Sequence, residues 1–294
     1  MAKNNEHHGQ QGPSAASDIG THDVAEHATS TAHSSLKQSP NTQADPWQQL
    51  KRFTRARIAL GRVGSSLPTK EVLEFGLAHA MARDAVHLAL DVDALANDLT
   101  AQGHTVLKVH SKATDRASYL LRPDYGRKLN AESVQQLESQ RSSTPIDFLI
   151  VVGDGLSSLA VERHAQPLLA EIQKHLPDGW NTGPVVIASQ ARVAIADEVG
   201  ELLNARMVAM LIGERPGLSS PDSLGIYLTF NPKAGLSDAD RNCISNVRPE
   251  GLDYPAAAKK LLWLAREAAR LKVSGVALKD ESDVQEIGSS AALE

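Results

Sequence analysis

The sequence predicts an α/β protein: a doubly wound, mostly parallel sheet of Rossmann-like type, with a helical module and a disordered tail ahead of it. Three observations predict this. Beyond about residue 103, short apolar runs alternate with stretches of helical period, the pattern of parallel strands joined by crossover helices. The runs Ile146–Val152, Pro184–Ala188 and Met207–Ile212 are apolar almost throughout, as strands covered on both faces require. The chain has 294 residues, 41% hydrophobic and only 4% aromatic, enough for one or two domains with an aliphatic, alanine-rich core.

Residues 1–45 contain no Phe, Trp or Tyr and are dense in Ser, Thr, Gln, Asn and His. Such a stretch cannot bury enough apolar surface to offset its ordering entropy, so a disordered tail is expected. Five of the eleven histidines fall there (His7, His8, His22, His27, His33), but the irregular spacing, with no cysteine or clustered carboxylate, favours a solvated linker over a metal site. Order is expected from Asp45-Pro46-Trp47, where Asp45 suits a helix cap and Pro46 its first position. An apolar stripe of Trp47, Leu50, Phe53, Ile58 and Leu60 then predicts a helix that ends near Gly61 to Gly64. Pro68-Thr69 opens a second helix with Val72, Leu73, Phe75, Leu77, Met81, Val86 and Leu88 as its apolar residues. Residues 46–100 therefore read as a helical module, and 101–285 as the α/β part.

In the α/β part, strands are expected over His104–Val109, Ile146–Val152, Pro184–Ala188, Met207–Ile212 and Ile226–Phe230. Helices are expected around Ser133–Gln140, Ser158–His175, Ala196–Leu203 and Pro255–Lys272. Ligands of such sheets sit at the carboxyl ends of the strands. Gly153-Asp154-Gly155, Ser189-Gln190-Ala191-Arg192 and Gly213-Glu214-Arg215 all follow strands and should converge on one edge. The third is the most pointed. A strand that ends on Glu214, Arg215, Pro216 and Gly217 is costly for a turn that merely reverses the chain, so a ligand is expected there. The plainer reading of Glu214 and Arg215 is a weak surface ion pair.

Several chemistries lack support. Net charge is -5, against nucleic-acid binding by bulk electrostatics. One cysteine, Cys243, forbids an internal disulfide and fits a reducing cytoplasm. No apolar run is long enough to span a bilayer, and the first residues lack a secretory h-region. No metal-binding motif is present. Gly153–Ser158 is neither a dinucleotide fingerprint nor a P-loop; read alone, it is a tight strand–helix turn capped by Ser157. No Gly-x-Ser-x-Gly elbow supports Ser157 as a nucleophile, and His164 on the following helix reads as a surface residue. Asp238-Ala239-Asp240 reads as a turn or short helix. Cys243 sits in a donor-rich loop near a ligand or, by residue type alone, in the core.

Several segments together resemble the small (light) chain of ethanolamine ammonia-lyase, an adenosylcobalamin-dependent enzyme. They are Thr54–Arg62, Tyr119–Arg127, Gly153–Ser157, Arg192–Glu201, Gly213–Leu218 and Arg241–Asn246, in order, within about residues 47–280. Gly-Glu-Arg-Pro-Gly-Leu and Cys-Ile-Ser-Asn are the most specific runs. The resemblance implies no catalytic residue in this chain: a large TIM-barrel subunit binds ethanolamine, performs the radical conversion to acetaldehyde and ammonia, and sandwiches the cobalamin against the small one. Val193, Glu214 and Cys243 match cofactor contacts; Gly155 and Ser157 lie in a matching motif and join them on the strand-end argument. With no Asp-x-His-x-x-Gly, the cofactor is expected base-on. The tail shows no amphipathic targeting helix, which leaves a cytoplasmic enzyme expected and packaging in a bacterial microcompartment in doubt. The alternative is a non-catalytic corrinoid- or nucleotide-binding module.

Overall fold

A computed structural model describes residues 41–282. Most of the segment expected to be disordered, 1–45, lies outside the described residues. Within them, backbone pairing already begins at Gln43, which exchanges two hydrogen bonds with Arg62 at 2.8 and 3.0 Å. Asp45 caps the next turn by accepting from the Trp47 amide.

That turn is a 3-10 helix, Pro46–Phe53, not a helix running to Gly61. Thr54 is extended, and Ala59, Gly61 and Gly64 all have positive φ. An amphipathic helix gains its stability from packing, and no residue of this one is buried. Helix α1 (Thr69–His87) forms as expected, but its apolar residues do not make one inward face; only Ala78 and Ala85 are buried. Helix α2 (Val92–Ala101) has Asp91 as its cap and sets Leu95 and Leu99 into the main core.

The sheet has six strands in the order β1-β3-β2-β4-β5-β6. They are β1 (Val106–His110), β2 (Leu149–Gly153), β3 (Val185–Ser189), β4 (Met207–Gly213), β5 (Leu224–Phe230) and β6 (Arg241–Val247). The first four are mutually parallel; β5 is antiparallel to β4 and β6 to β5. The remaining helices are α3 (Arg116–Leu121), α4 (Ala131–Ser139), α5 (Ser158–Lys174), α6 (Ile195–Leu202) and α7 (Tyr254–Leu271). The fold is thus α/β with a mixed sheet. Two expectations are corrected. The segment after Gly213 does reverse the chain, into the β4–β5 antiparallel pair. The polar stretch around Cys243 is a strand, masked in sequence because one of its faces stays in solvent.

Alternation along the strands sorts the core into two layers. Val152, Ile187, Ala209 and Ile226 face α2, α5 and α7. Val151, Val186, Val208 and Met210 face α4 and α6. Each fully buried Leu or Ile adds roughly 1.5–3 kcal/mol, so both layers are needed to offset chain entropy. On the second face α6 packs over β2 and β4. It is tied to β6 by a buried ion pair between Asp197 and Arg241, and Arg241 also donates to Asp238 Oδ1 at 2.9 Å and the Leu236 carbonyl at 3.0 Å. Burial holds the Asp197 carboxyl above its ordinary pKa, against the pull of Arg241. Along β6 the Asn242 amide donates to the carbonyls of Gly275 and Leu278 and accepts from the Gly275 amide at 2.8 Å.

The buried pair yields a prediction. Arg241→Met keeps the volume but strands the Asp197 carboxylate, and should lower unfolding free energy by about 3–5 kcal/mol in urea melts. A loss below about 1 kcal/mol would show the pair to be idle.

Candidate functional site: the carboxyl edge of the sheet

The Gly153-Asp154-Gly155 turn is built around its carboxylate. Asp154 is buried; its Oδ1 accepts from the amides of Gly155 (2.9 Å) and Ala191 (2.8 Å), and its Oδ2 from that of Gln190 (2.9 Å). Arg116 stands 3.6 Å from Oδ2 and donates to the Gly155 carbonyl at 2.8 Å. Burial raises the Asp154 pKa, opposed by the Ala191 amide and by Arg116. One side chain therefore ties the end of β2 to the end of β3. Tyr119 lies below it with its hydroxyl on the Ala191 carbonyl (3.1 Å) and its ring between the Arg116 and Arg192 guanidinium groups, 4.6 and 4.3 Å away. Sequence reading missed Asp154, Arg116 and Tyr119; a carboxylate between two glycines at a strand end was the available signal.

Gly153 leaves room for the Met210 side chain, and Gly155 for close backbone approach. Gly155 has φ +60°, and a Cβ there would run into the Gly213 carbonyl. The Leu156 amide donates to that carbonyl at 3.0 Å. Ser157 is fully buried and caps α5, its hydroxyl accepting from Ala160 at 3.2 Å and donating to the Pro221 carbonyl at 2.7 Å. The capped-turn reading of this motif describes what is seen. His164, expected on the surface, is buried at 5% exposure because Tyr254 covers it; its Nδ1 lies 2.9 Å from the Tyr254 hydroxyl and its Nε2 3.7 Å from Asp222. Burial depresses its pKa, with Asp222 opposing. Ser157 and His164 thus have separate partners and form no nucleophile–base pair.

Glu214 opens the β4–β5 connection, half-buried. Its carboxylate accepts from the Ser223 hydroxyl and, at 3.3 Å, from the Asn246 amide. It joins the ends of β4, β5 and β6 and makes no ion pair with Arg215. Its side chain lies over Gly225, where a Cβ would sit 3.0 Å from Oε1. Asn246 has φ +61°, at an irregularity in the β5–β6 register.

Beside Glu214 the sheet is uncovered. Tyr227, paired with Met210 and Cys243, is half-buried on the α6 face, while Cys243 and Ser245 on β6 are exposed. Cys243 is therefore not a core residue: alternation places Ile244 inward and the thiol outward. Desolvation of the thiol raises the Cys243 pKa, the Tyr227 hydroxyl lowers it, and the Glu214 charge raises it further. Burial, with Cys243 and Glu214 beside it, also raises that of Tyr227. Val193, in the turn before α6, packs on the same layer as Tyr227. The structure brings Glu214 and Cys243 to one sheet face, a ledge floored by Gly225, Tyr227, Cys243 and Ser245, and packs Val193 on the core layer of that same face. Gly155 and Ser157 lie behind it, with their polar groups engaged by the protein. No group of His, Cys, Asp and Glu side chains suited to a metal ion occurs among the described residues.

A mixed six-stranded sheet with helices on both faces places the chain in the α/β class. The ethanolamine ammonia-lyase light-chain family model matches residues 44–279, and the chain belongs to that family. It is similar to the ethanolamine ammonia-lyase small subunit of Pseudomonas fluorescens (strain Pf0-1), 55% identical over 262 residues, 88% of this chain and 96% of that protein. It is also similar to those of Pseudomonas putida (strain W619), 58% identical over 84% of this chain and 92% of that one, and of Ralstonia nicotianae (strain GMI1000), 59% identical over 82% and 90%.

Two predictions follow from this geometry. Ser157→Ala removes a cap and a buried bond to the β4–β5 connection, and should cost about 1–3 kcal/mol in thermal or urea unfolding. Alkylation of Cys243 in the free chain should be slow at pH 7 and should accelerate in Glu214→Gln, because removing the charge lowers the thiol pKa. Equal alkylation rates for the two proteins would place Glu214 away from the thiol.

Proposed function

We propose that this chain is the cobalamin-binding small subunit of an ethanolamine ammonia-lyase, and that its ledge carries adenosylcobalamin, base-on, against a larger catalytic TIM-barrel subunit. Family membership supports the enzyme. The observation that supports the ledge is Glu214 lying over Gly225 beside the exposed Cys243 face of β6, with Val193 packed on the same layer. These residues fit a corrin. The ring is broad, largely apolar and rimmed by amides, so it needs a flat floor and a few acceptors. Small residues make the floor: Gly225, Cys243 and Ser245. Glu214 is an acceptor held in place by Ser223 and Asn246. The cofactor, when bound, supplies a homolysable carbon–cobalt bond for the radical reaction.

What this chain contributes is binding and orientation. Glu214 would accept a corrin-rim amide N–H on an oxygen already aimed by its neighbours. Val193 would give an apolar contact at the start of α6, and the face of β6 around Cys243 would exclude water from below. Gly155 and Ser157 contribute in this reading by shaping the backbone behind Glu214. The substrate, ethanolamine, is bound by the larger subunit. The division into a helical module (46–100) and a doubly wound, Rossmann-like cobalamin-binding part (101–285) belongs to the same proposal, although α2, within the first by number, is seated on the sheet of the second. Among the described residues no helix is long and apolar enough to cross a membrane. A single cysteine supports a cytoplasmic setting.

Glu214→Ala tests the reading. It removes a charged acceptor worth about 1.5–3 kcal/mol, so the assembled two-subunit enzyme should bind cobalamin about 10- to 100-fold more weakly, and turnover should recover at high cofactor concentration. Titration of the corrin spectrum reads the affinity. Wild-type affinity in this variant would remove Glu214 from the site, and turnover by this chain alone would sink the division of labour.

A further inference from the structure

Ten of the thirteen large apolar side chains exposed among the described residues fall between Trp47 and Leu88. Trp47, Phe53, Leu73, Phe75, Leu77 and Met81 are 45–73% exposed. Scattered exposed apolar residues are ordinary; this concentration is not. Helix α1 has 19 residues, and only two alanines of it are buried among the described residues. A helix apolar around most of its circumference is a helix meant to be covered.

Charge narrows the choice of cover. Residues 46–62 hold Lys51, Arg52, Arg55, Arg57 and Arg62 and no carboxylate. Lys51 reaches Glu71 at 3.6 Å, while the Arg52 and Arg57 guanidinium groups lie over the rings of Phe53 and Phe75, at 4.6 and 5.4 Å. A two-fold contact between copies of this chain would set that basic segment against itself. A different surface, apolar with an acidic rim, would meet both features. The face also reaches the β4–β5 connection. Leu77 and Met81 wall a groove whose other side is Gly217 to Pro221, in the connection that Glu214 begins.

We propose that the apolar, basic face of residues 46–88 is the docking surface for the larger subunit of the enzyme, seated there through an apolar, acid-rimmed patch. This rests on the two-subunit reading above. A subunit docked on α1 also meets the β4–β5 connection that Glu214 begins.

Full-length chain, wild type or Leu73→Gln/Leu77→Gln, is co-expressed with the larger subunit and captured through a tag on that subunit. Glutamine keeps helix propensity and removes only apolarity. The double variant should be retained at least tenfold less, with its far-ultraviolet circular dichroism and thermal midpoint as in wild type. The same exchange at the opposite edge of the sheet, Leu271→Gln, should leave capture unchanged. Capture of wild type should also weaken as salt rises from about 50 to 500 mM, because the basic rim is screened. Equal capture of wild type and the double variant overturns the docking surface and leaves the two-subunit reading standing. If the free chain is a dimer that the double variant converts to monomer without loss of capture, the face is a contact between copies and the proposal fails. If wild type is not captured at all, the two-subunit reading itself fails.

Discussion

The buried carboxylate of Asp154 is the constraint on which the carboxyl edge depends. A carboxylate with almost no solvent is costly unless its oxygens are bonded, and here three backbone amides and an arginine meet it. Those amides come from the ends of two strands. Satisfying the charge therefore fixes the β2 and β3 loops at once, including the Gln190 backbone at φ +52°. Gly155 then passes against Gly213, which sets where β4 releases Glu214. A chain of backbone contacts runs from one buried charge to the acceptor on the ledge.

The parallel half of the sheet was legible in the sequence because its strands are buried on both faces and so spell out apolar runs. Each of the five expected strands overlaps an observed one within a few residues. β6 was not legible. Its inward residues, Ile244 and Val247, are separated by exposed or polar positions, and one face has no helix over it. The direction of β5 was hidden for a related reason: the connection after Gly213 holds Pro, Gly and Ser, which suit a ligand loop as well as a reversal. Glu214 stood out as a strand-end carboxylate, yet its partners Ser223 and Asn246 come from distant positions that pattern alone cannot join.

The module at 46–88 shows a different limit. The apolar stripe there predicts helices and a demand for cover, which an exposed face awaiting a partner meets as well as a core does. Pattern gives the demand for burial but not the body that meets it, and the 3-10 geometry of Pro46–Phe53 and the exposed flank of α1 are what such a segment looks like with its demand unmet among the described residues.

The Asn242 side chain, bonded to Gly275 and Leu278, bears on this exposure in another way. β6 is the last strand, and a bare outer edge offers unpaired amides and carbonyls on which a further strand can grow. The amide of Asn242 holds the turn at Gly275–Ala277 along that edge, and the Asn246 irregularity breaks the regular ladder beyond it. At the opposite end of the sheet, the Asn130 amide and the Ser133 hydroxyl occupy the backbone groups of His110 on β1. A chain that carries so much uncovered apolar surface is open to aggregation, and each border strand of its sheet is engaged at one point, His110 by Asn130 and Ser133 and Asn242 by the Gly275 turn. The exposed apolar region at 46–88 is helical, where association goes by shape and side chain rather than by the indiscriminate pairing of backbones.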